Sequence, residues 1–224
     1  MILAAGRGTR LRPLTDHCPK PLLPAGGVPL IVHLLQRLEA AGYRDIVINL
    51  GHLGAQIPAR LGDGRAFGVT IEYSPEPPGA LETAGGIRAA LPRLGIAPFL
   101  VVNGDVWCDH PLYPPQLSDA TLAHLVLVAN PAHHPHGDFV LEADRVRLAE
   151  GQPRLTFSGI GWYRPALFAS LPPGPRPLAP VLRAAIAADA VTGEYHAGAW
   201  EDIGTPERLQ ALDTRLRGTA HSRI

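Results

Sequence analysis

The stretch from Met1 to Pro24, MILAAGRGTRLRPLTDHCPKPLLP, constrains this chain more than any other. A short apolar run, Ile2 to Ala5, reads as a buried strand that breaks at Gly6, and Gly8 follows two residues later. Glycines placed after a strand let backbone N–H groups turn toward an anion without hindrance from a Cβ, so the loop is a candidate phosphate cradle. Arg7, Arg10, Arg12 and Lys20 put up to four cations within reach of it, and Pro13, Pro19, Pro21 and Pro24 stiffen the segment that carries them. Two better-known loops are excluded. The chain has no G-x-x-x-x-G-K-[ST] run, and Leu11 stands where a dinucleotide fingerprint needs its third glycine. Asn49 likewise stands where that fingerprint needs an acidic residue after the second strand. Several cations beside a glycine loop suit a triphosphate better than a dinucleotide pyrophosphate.

L-A-A-G-x-G-T-R-L-x-P-L-T over Leu3 to Thr15, followed by P-K-P-L-x-P over Pro19 to Pro24, resembles the signature of the sugar-1-phosphate nucleotidylyltransferases. The resemblance implies a Rossmann-like α/β three-layer sandwich with a mainly parallel central sheet, of the glycosyltransferase-A-like kind. It also implies that Leu3, Ala4, Ala5, Gly6, Gly8, Thr9 and Arg10 hold a nucleoside triphosphate. Arg10 would stabilise the departing pyrophosphate, and Lys20 would bridge the phosphates of nucleotide and sugar.

The bulk properties agree with a small anionic substrate. The 224 residues, 46% of them apolar, suffice for one nucleotidyltransferase domain with a sizeable core, and the C-terminal β-helix domain that some relatives append is not expected. Basic and acidic residues are equal at 20 each, which argues against a nucleic-acid surface. Cys18 and Cys108 read as reduced thiols of a cytoplasmic protein, and neither a membrane span nor a signal peptide is expected.

Along the chain, Leu30, Ile31, Leu34, Leu35 and Leu38 recur at helical spacing up to Gly42. Asp45 to Leu50 and Val69 to Tyr73 read as strands around a short helix at Gly54 to Leu61, an alternation that implies a parallel sheet. A rigid Pro75–Gly79 turn leads to Leu81-Glu82-Thr83-Ala84-Gly85, which opens a helix; in the resembled family such an L-x-T-A-G loop reads the base, so Glu82, Thr83, Ala84 and Gly85 are expected at the nucleotide. Pro98 to Gly104 reads as a central strand ending in Asn103-Gly104-Asp105, with Gly104 also expected at the nucleotide. A carboxylate at such a strand end lies in the ligand crevice of an α/β sheet, and Mg²⁺ favours one or two carboxylates plus phosphate oxygens. By resemblance Asp105 is catalytic and a magnesium ligand, and Asp202 of the W-E-D-I-G-T segment completes the metal site.

Leu122 to Ala129 reads as a strand, and Phe139–Leu141 with Arg145–Leu148 as a hairpin. His133, His134 and His136 lack the ligand spacing of a transition-metal site and read as a polar loop lining the acceptor pocket. Sugar contacts are expected from Asp138, Ser158 and Gly159; the Glu-Lys-Pro segment of many relatives is absent, and Phe157 stands where relatives carry asparagine. Leu178 to Ile186 reads as an amphipathic helix, Val191–Ala197 and Ala199–Ile203 as a closing pair of strands, and Thr205-Pro206-Glu207 as the entry of a last helix.

Within the family, LETAGG, VVNGDVW and AWEDIGT resemble the uridylyltransferases that use N-acetylmuramate-1-phosphate in bacterial cell-wall recycling. Arg65 and His134 are candidates to meet the lactyl carboxylate of that acceptor. The rival enzyme is a mannose- or glucose-1-phosphate nucleotidylyltransferase using GTP or dTTP; the rival of another class is a silent regulatory subunit, which should have lost one of Arg10, Lys20, Asp105 or Asp202. The expected partners are small-molecule substrates, NTP and sugar-1-phosphate, in a monomer or weak homodimer without nucleic acid or membrane.

Overall fold

The computed structural model of the protein describes residues 1–77, 79, 81–148 and 151–221; Pro78 of the expected Pro75–Gly79 turn lies outside the described residues. In chain order the first elements are β1 (Ile2–Leu3), β2 (Pro24–Ala25), β3 (Val28–Pro29), α1 (Leu30–Ala40), β4 (Asp45–Leu50), α2 (Gln56–Leu61) and β5 (Thr70–Pro75). Next come α3 (Glu82–Leu94), β6 (Phe99–Asn103), β7 (Val106–Cys108), β8 (Ala123–Val128), β9 (Val140–Glu142) and β10 (Arg145–Arg147). β11 (Thr156–Tyr163), α4 (Ala166–Ala169), α5 (Leu178–Ala187), β12 (Val191–His196), β13 (Trp200–Asp202) and α6 (Pro206–His221) complete the order. These elements form two compact units, each drawn from separated stretches of the chain.

The first unit takes Ile2–Ala80, Asn103–Leu112 and Glu201–Ile224. Its strands β1, β4 and β5 are all parallel, with Ile2 opposite Ile48 and Asp45–Leu50 in step with Thr70–Pro75. The parallel arrangement follows from the crossovers, since α1 and α2 intervene where a hairpin turn would be needed for antiparallel pairing. Helix α1 buries Leu30, Ile31, Leu34, Leu35 and Leu38, the residues whose spacing marked it. It stops where Gly42 takes a positive φ of 92°.

Leu11, Leu23, Ala25, Leu30, Ile203, Leu209 and Leu212 make one buried cluster in this unit. It ties the segment after the glycine loop to α6, although the two ends of the chain supply them. Trp107 packs against the same cluster and carries the Arg215 guanidinium 4.3 Å from its ring centre, while Arg215 Nη1 meets Glu201 Oε1 at 2.5 Å. Helix α6 is thereby fastened to both β7 and β13.

The second unit takes Met1, Leu81–Val102 and Tyr113–Trp200. Its strands run in the order β6-β11-β8-β12-β10-β9, with β8 and β12 parallel and β11 antiparallel to both its neighbours. Phe99 to Val102 are all buried, as a continuous apolar strand requires. The register of β11 against β8 shifts between Phe157 and Gly161, and Gly159 sits in that bulge with φ 80°.

The strands expected to close on each other find other partners. Strand β12 lies between β8 and β10, pairing in parallel with β8 at every position from Val191 to His196, whereas β13 pairs with β7. The intervening Ala197-Gly198-Ala199 has hairpin composition, but long-range pairing decides where each strand goes. Among the described residues no helix is long and apolar enough to cross a membrane.

Candidate active site

The site grows out of the end of β1. There the backbone leaves the ladder, and the Ala4 amide donates instead to the Asn49 side chain at 2.6 Å. Asn49, 4% exposed, in turn donates to Glu76 Oε1 at 2.7 Å. A buried amide side chain thus fixes the point at which the loop departs, which explains a buried polar residue near the end of β4.

The two loop glycines have different reasons to be glycine. Gly8 has φ 60°, and its carbonyl accepts from both the Leu11 amide and the Thr15 hydroxyl at 2.9 Å. A Cβ there would lie 3.0 Å from Thr15 Cγ2 and 3.2 Å from Lys20 Cβ, so Gly8 packs the loop against the lysine stem. At Gly6 a Cβ would meet nothing within 4 Å. Gly6 therefore faces open space, the condition under which a ligand approaches backbone closely.

That space is a pocket of about 210 Å³ lined by Gly6, Gly8, Thr9 and Arg10 from the loop, with Lys20, Asp105 and Gly204. Lys20 is only 9% exposed and its ammonium is ion-paired with Asp105 Oδ2. Of the four loop cations, Arg10 and Lys20 reach the pocket wall; Arg12 pairs with Asp16 at 3.0 Å on the exposed surface, and Arg7 is exposed without lining the pocket.

Asp105 and Asp202 are brought to adjacent backbones, as a shared site requires. Strands β7 and β13 form a two-stranded ladder, and the Ile203 amide donates to the Asp105 carbonyl at 2.9 Å. Asp202 Oδ2 is held by Arg208 Nη1 at 3.0 Å. Two carboxylates on neighbouring strands beside a basic pocket are hard oxygen donors suited to a divalent ion that also takes phosphate oxygens.

Gly104, expected at the nucleotide, does not line the pocket. It packs beneath the loop, donating to the Leu3 carbonyl at 2.8 Å, and a Cβ would stand 2.7 Å from that oxygen. Arg65, a candidate for the acceptor carboxylate, is 87% exposed and pairs with Asp63 at 3.3 Å.

The remaining expected residues belong to the second unit. Glu82 opens α3 with φ 57°, a left-handed conformation uncommon for a residue with a side chain. The Ala84 and Gly85 amides both donate to the Arg176 carbonyl, at 2.9 and 3.2 Å. A Cβ on Gly85 would lie 2.5 Å from the Gly174 carbonyl, so the small residue there admits the chain's own backbone. Asp138 accepts from the Phe157 amide at 2.8 Å and meets His134 Nε2 at 3.1 Å. Ser158 is 1% exposed; its hydroxyl accepts from the Ile160 amide at 3.2 Å and its carbonyl accepts from Trp200 Nε1 at 2.9 Å. Asp138 and Ser158 thus brace the bulge that holds Gly159.

Gly204 lines the pocket and Arg208 packs against it, and sequence reasoning assigned a role to neither. A Cβ on Gly204 would come 2.6 Å from Arg208 Nη2 and 3.0 Å from Arg10 Nη2, so two guanidinium groups close on one bare backbone position. The signal was present in Asp202-Ile203-Gly204-Thr205, where the glycine follows the metal-type carboxylate, but its reason is a contact with a side chain from the other end of the chain.

A glycine loop, two pocket cations and the Asp105 carboxylate, with Asp202 on the adjacent backbone, are the chemical parts that nucleotidyl transfer needs. The family model for nucleotidyl transferases matches residues 1–217, and the chain belongs to that family. It is 53% identical over 218 residues to the N-acetylmuramate alpha-1-phosphate uridylyltransferase of Neisseria meningitidis, covering 94% of each chain. It is 35% identical over 231 residues to the protein of the same name from Caulobacter vibrioides, covering 96% of each. Among solved structures, a putative glucose-1-phosphate thymidylyltransferase from Bacillus anthracis shares the fold, with TM-score 0.83 and 23% identity over 96% of this chain and 94% of that one.

Proposed function

We propose that this protein transfers the uridylyl group of UTP to N-acetylmuramate-1-phosphate, giving UDP-N-acetylmuramate and pyrophosphate. The pocket in which the loop backbone, Arg10, Lys20 and Asp105 meet carries the reaction class. The full-length likeness to enzymes of that name supports the substrate pair.

An oxygen of the sugar phosphate attacks the α-phosphorus; the new P–O bond forms as the bond to the bridging α–β oxygen breaks, and pyrophosphate departs with that electron pair. No covalent protein intermediate is involved, so the chain's task is positioning and charge neutralisation. Gly6 and Gly8 present backbone to the phosphates. Arg10 meets the charge that builds on the leaving pyrophosphate, and Lys20, shielded from water, meets the α-phosphate region. Glu82 and Thr83 are assigned to the base, and Asp138 and Gly159 to the sugar side. Asp105 and Asp202 would hold Mg²⁺, which supplies Lewis-acid neutralisation of the phosphate oxygens when bound. We assign both units to one nucleotidyltransferase domain, acting in the cytoplasm as a monomer or weak homodimer.

The test is Mg²⁺-dependent pyrophosphate release across UTP, dTTP, GTP, CTP and ATP against N-acetylmuramate-, N-acetylglucosamine-, glucose- and mannose-1-phosphate. Turnover confined to UTP with the muramate ester is expected. Preference for GTP and mannose-1-phosphate would retain the chemistry and overturn the substrates, and silence with every pair would favour a regulatory subunit. Asp105→Ala and Asp202→Ala should each abolish turnover in a folded protein.

A further inference from the structure

Around the pocket, both carboxylates assigned to the metal already have a cation of the chain's own. Lys20 pairs with Asp105, and Arg208 pairs with Asp202. Arg10 adds a third positive group, its Nη2 lying 3.0 Å from the position a Gly204 Cβ would take, where Arg208 Nη2 lies at 2.6 Å. Three cations thus face the two carboxylates, with Glu207 also within electrostatic reach of Arg208. A bare divalent ion at Asp202 would have to displace Arg208 and then lie close to its charge, whereas a divalent ion bound to a triphosphate arrives as a net anion that the arginines attract. Arg10 and Arg208 crowd one backbone position, and Arg208 is held there by its bond to Asp202.

We propose that Arg208 is a built-in counter-ion of Asp202 that yields the carboxylate to a divalent ion and turns its guanidinium to the phosphates beside Arg10. The inference rests on the metal-site reading of Asp105 and Asp202. It gives Arg208 two opposed effects. It weakens binding of the bare metal, because it occupies Asp202, and it strengthens binding of the metal–pyrophosphate complex, because a guanidinium released beside Arg10 gives that anion a second fork of N–H donors. A residue that only supported the fold would move both affinities in the same direction.

The experiment uses the full chain with Mn²⁺ as probe, following free Mn²⁺ by electron paramagnetic resonance, with and without inorganic pyrophosphate. In Arg208→Gln, bare Mn²⁺ should bind about tenfold more tightly than in the unmodified protein, and Mn²⁺–pyrophosphate about tenfold more weakly. Arg208→Lys, which keeps the charge, should leave bare Mn²⁺ near its original affinity. Arg208→Met keeps the aliphatic stem and serves as a second neutral variant expected to behave as Arg208→Gln. Bare Mn²⁺ binding that is unchanged or weakened in both neutral variants overturns the inference. Asp202→Asn separates the two levels: if it abolishes Mn²⁺ binding while the Arg208 variants fail to tighten it, only the counter-ion role falls. If Asp202→Asn leaves Mn²⁺–pyrophosphate binding intact, the metal-site reading falls and the inference with it.

Discussion

Lys20 shows how a charged side chain is kept at a buried position. Its stem packs on Gly8, its ammonium is neutralised by Asp105, and its neighbours Pro19 and Pro21 hold the backbone. Lys20→Ala removes the cation and leaves Asp105 unpaired, so kcat should fall by at least about a hundredfold. Lys20→Arg keeps the charge and should lose less; near-normal rates in both would remove Lys20 from the reaction. Glycines separate by what a Cβ would strike. At Gly104 the obstacle is the Leu3 carbonyl, a rigid backbone atom, and Gly104→Ala should destabilise by about 2–3 kcal/mol in urea unfolding. At Gly204 the obstacles are the mobile ends of two arginines. Gly204→Ala should therefore stay within about 1 kcal/mol of the parent while turnover drops about tenfold or more through displaced guanidiniums. These differences were not legible in the sequence, where Gly104 and Gly204 look alike as glycines within two residues of an aspartate.

Among the elements, the ribbon of β7 and β13 and the entry of α6 control the site. The sequence reading placed Asp105 at a strand end and expected Asp202 to converge on it; in the fold the Ile203 amide donates to the Asp105 carbonyl, which sets the two backbones side by side. That reading took Val191–Ala197 and Ala199–Ile203 as a closing pair, whereas β12 is taken by β8 over its whole length and β13 pairs with β7. Local composition signals where a strand ends, and partners are chosen by packing that only the folded chain supplies. The entry of α6 was legible because Thr205, Pro206 and Glu207 carry their chemistry locally; Thr205 Oγ1 accepts from the Arg208 amide at 3.4 Å. Thr205→Ala should lower stability by about 1 kcal/mol and, by loosening the turn that sets Gly204 and Arg208, lower turnover more than that loss explains. Thermal unfolding and steady-state rates on the same preparation check both.

At the level of the whole molecule, the first unit depends on residues from both ends of the chain. Leu209 and Leu212 of α6 are buried with Leu11 and Leu23, so deleting residues 205–224 strips that cluster of side chains worth about 1.5–3 kcal/mol each. The truncated protein should lose helical circular dichroism and all pyrophosphate release. Burial also sets an alkaline limit. It pushes the Cys108 thiol up to about 11 from its ordinary value of 9.0, so the folded chain keeps a proton that the unfolded chain loses. Stability from this group is full below pH 9.0 and declines as the pH rises toward 11, a loss of about 2–3 kcal/mol that Cys108→Ala should flatten in a pH series of urea midpoints.

The order in which these parts leave the ribosome has a consequence of its own. A nascent chain emerged as far as β12 already displays the glycine loop, Lys20 and Asp105, yet it lacks Asp202, Gly204, Arg208 and the leucines of α6 that hold the loop's far side. The carboxylate ribbon closes only when the Ile203 amide reaches Asp105. The pocket is thus completed only once Gly204 and the leucines of α6 have emerged, so its two halves are made at different times.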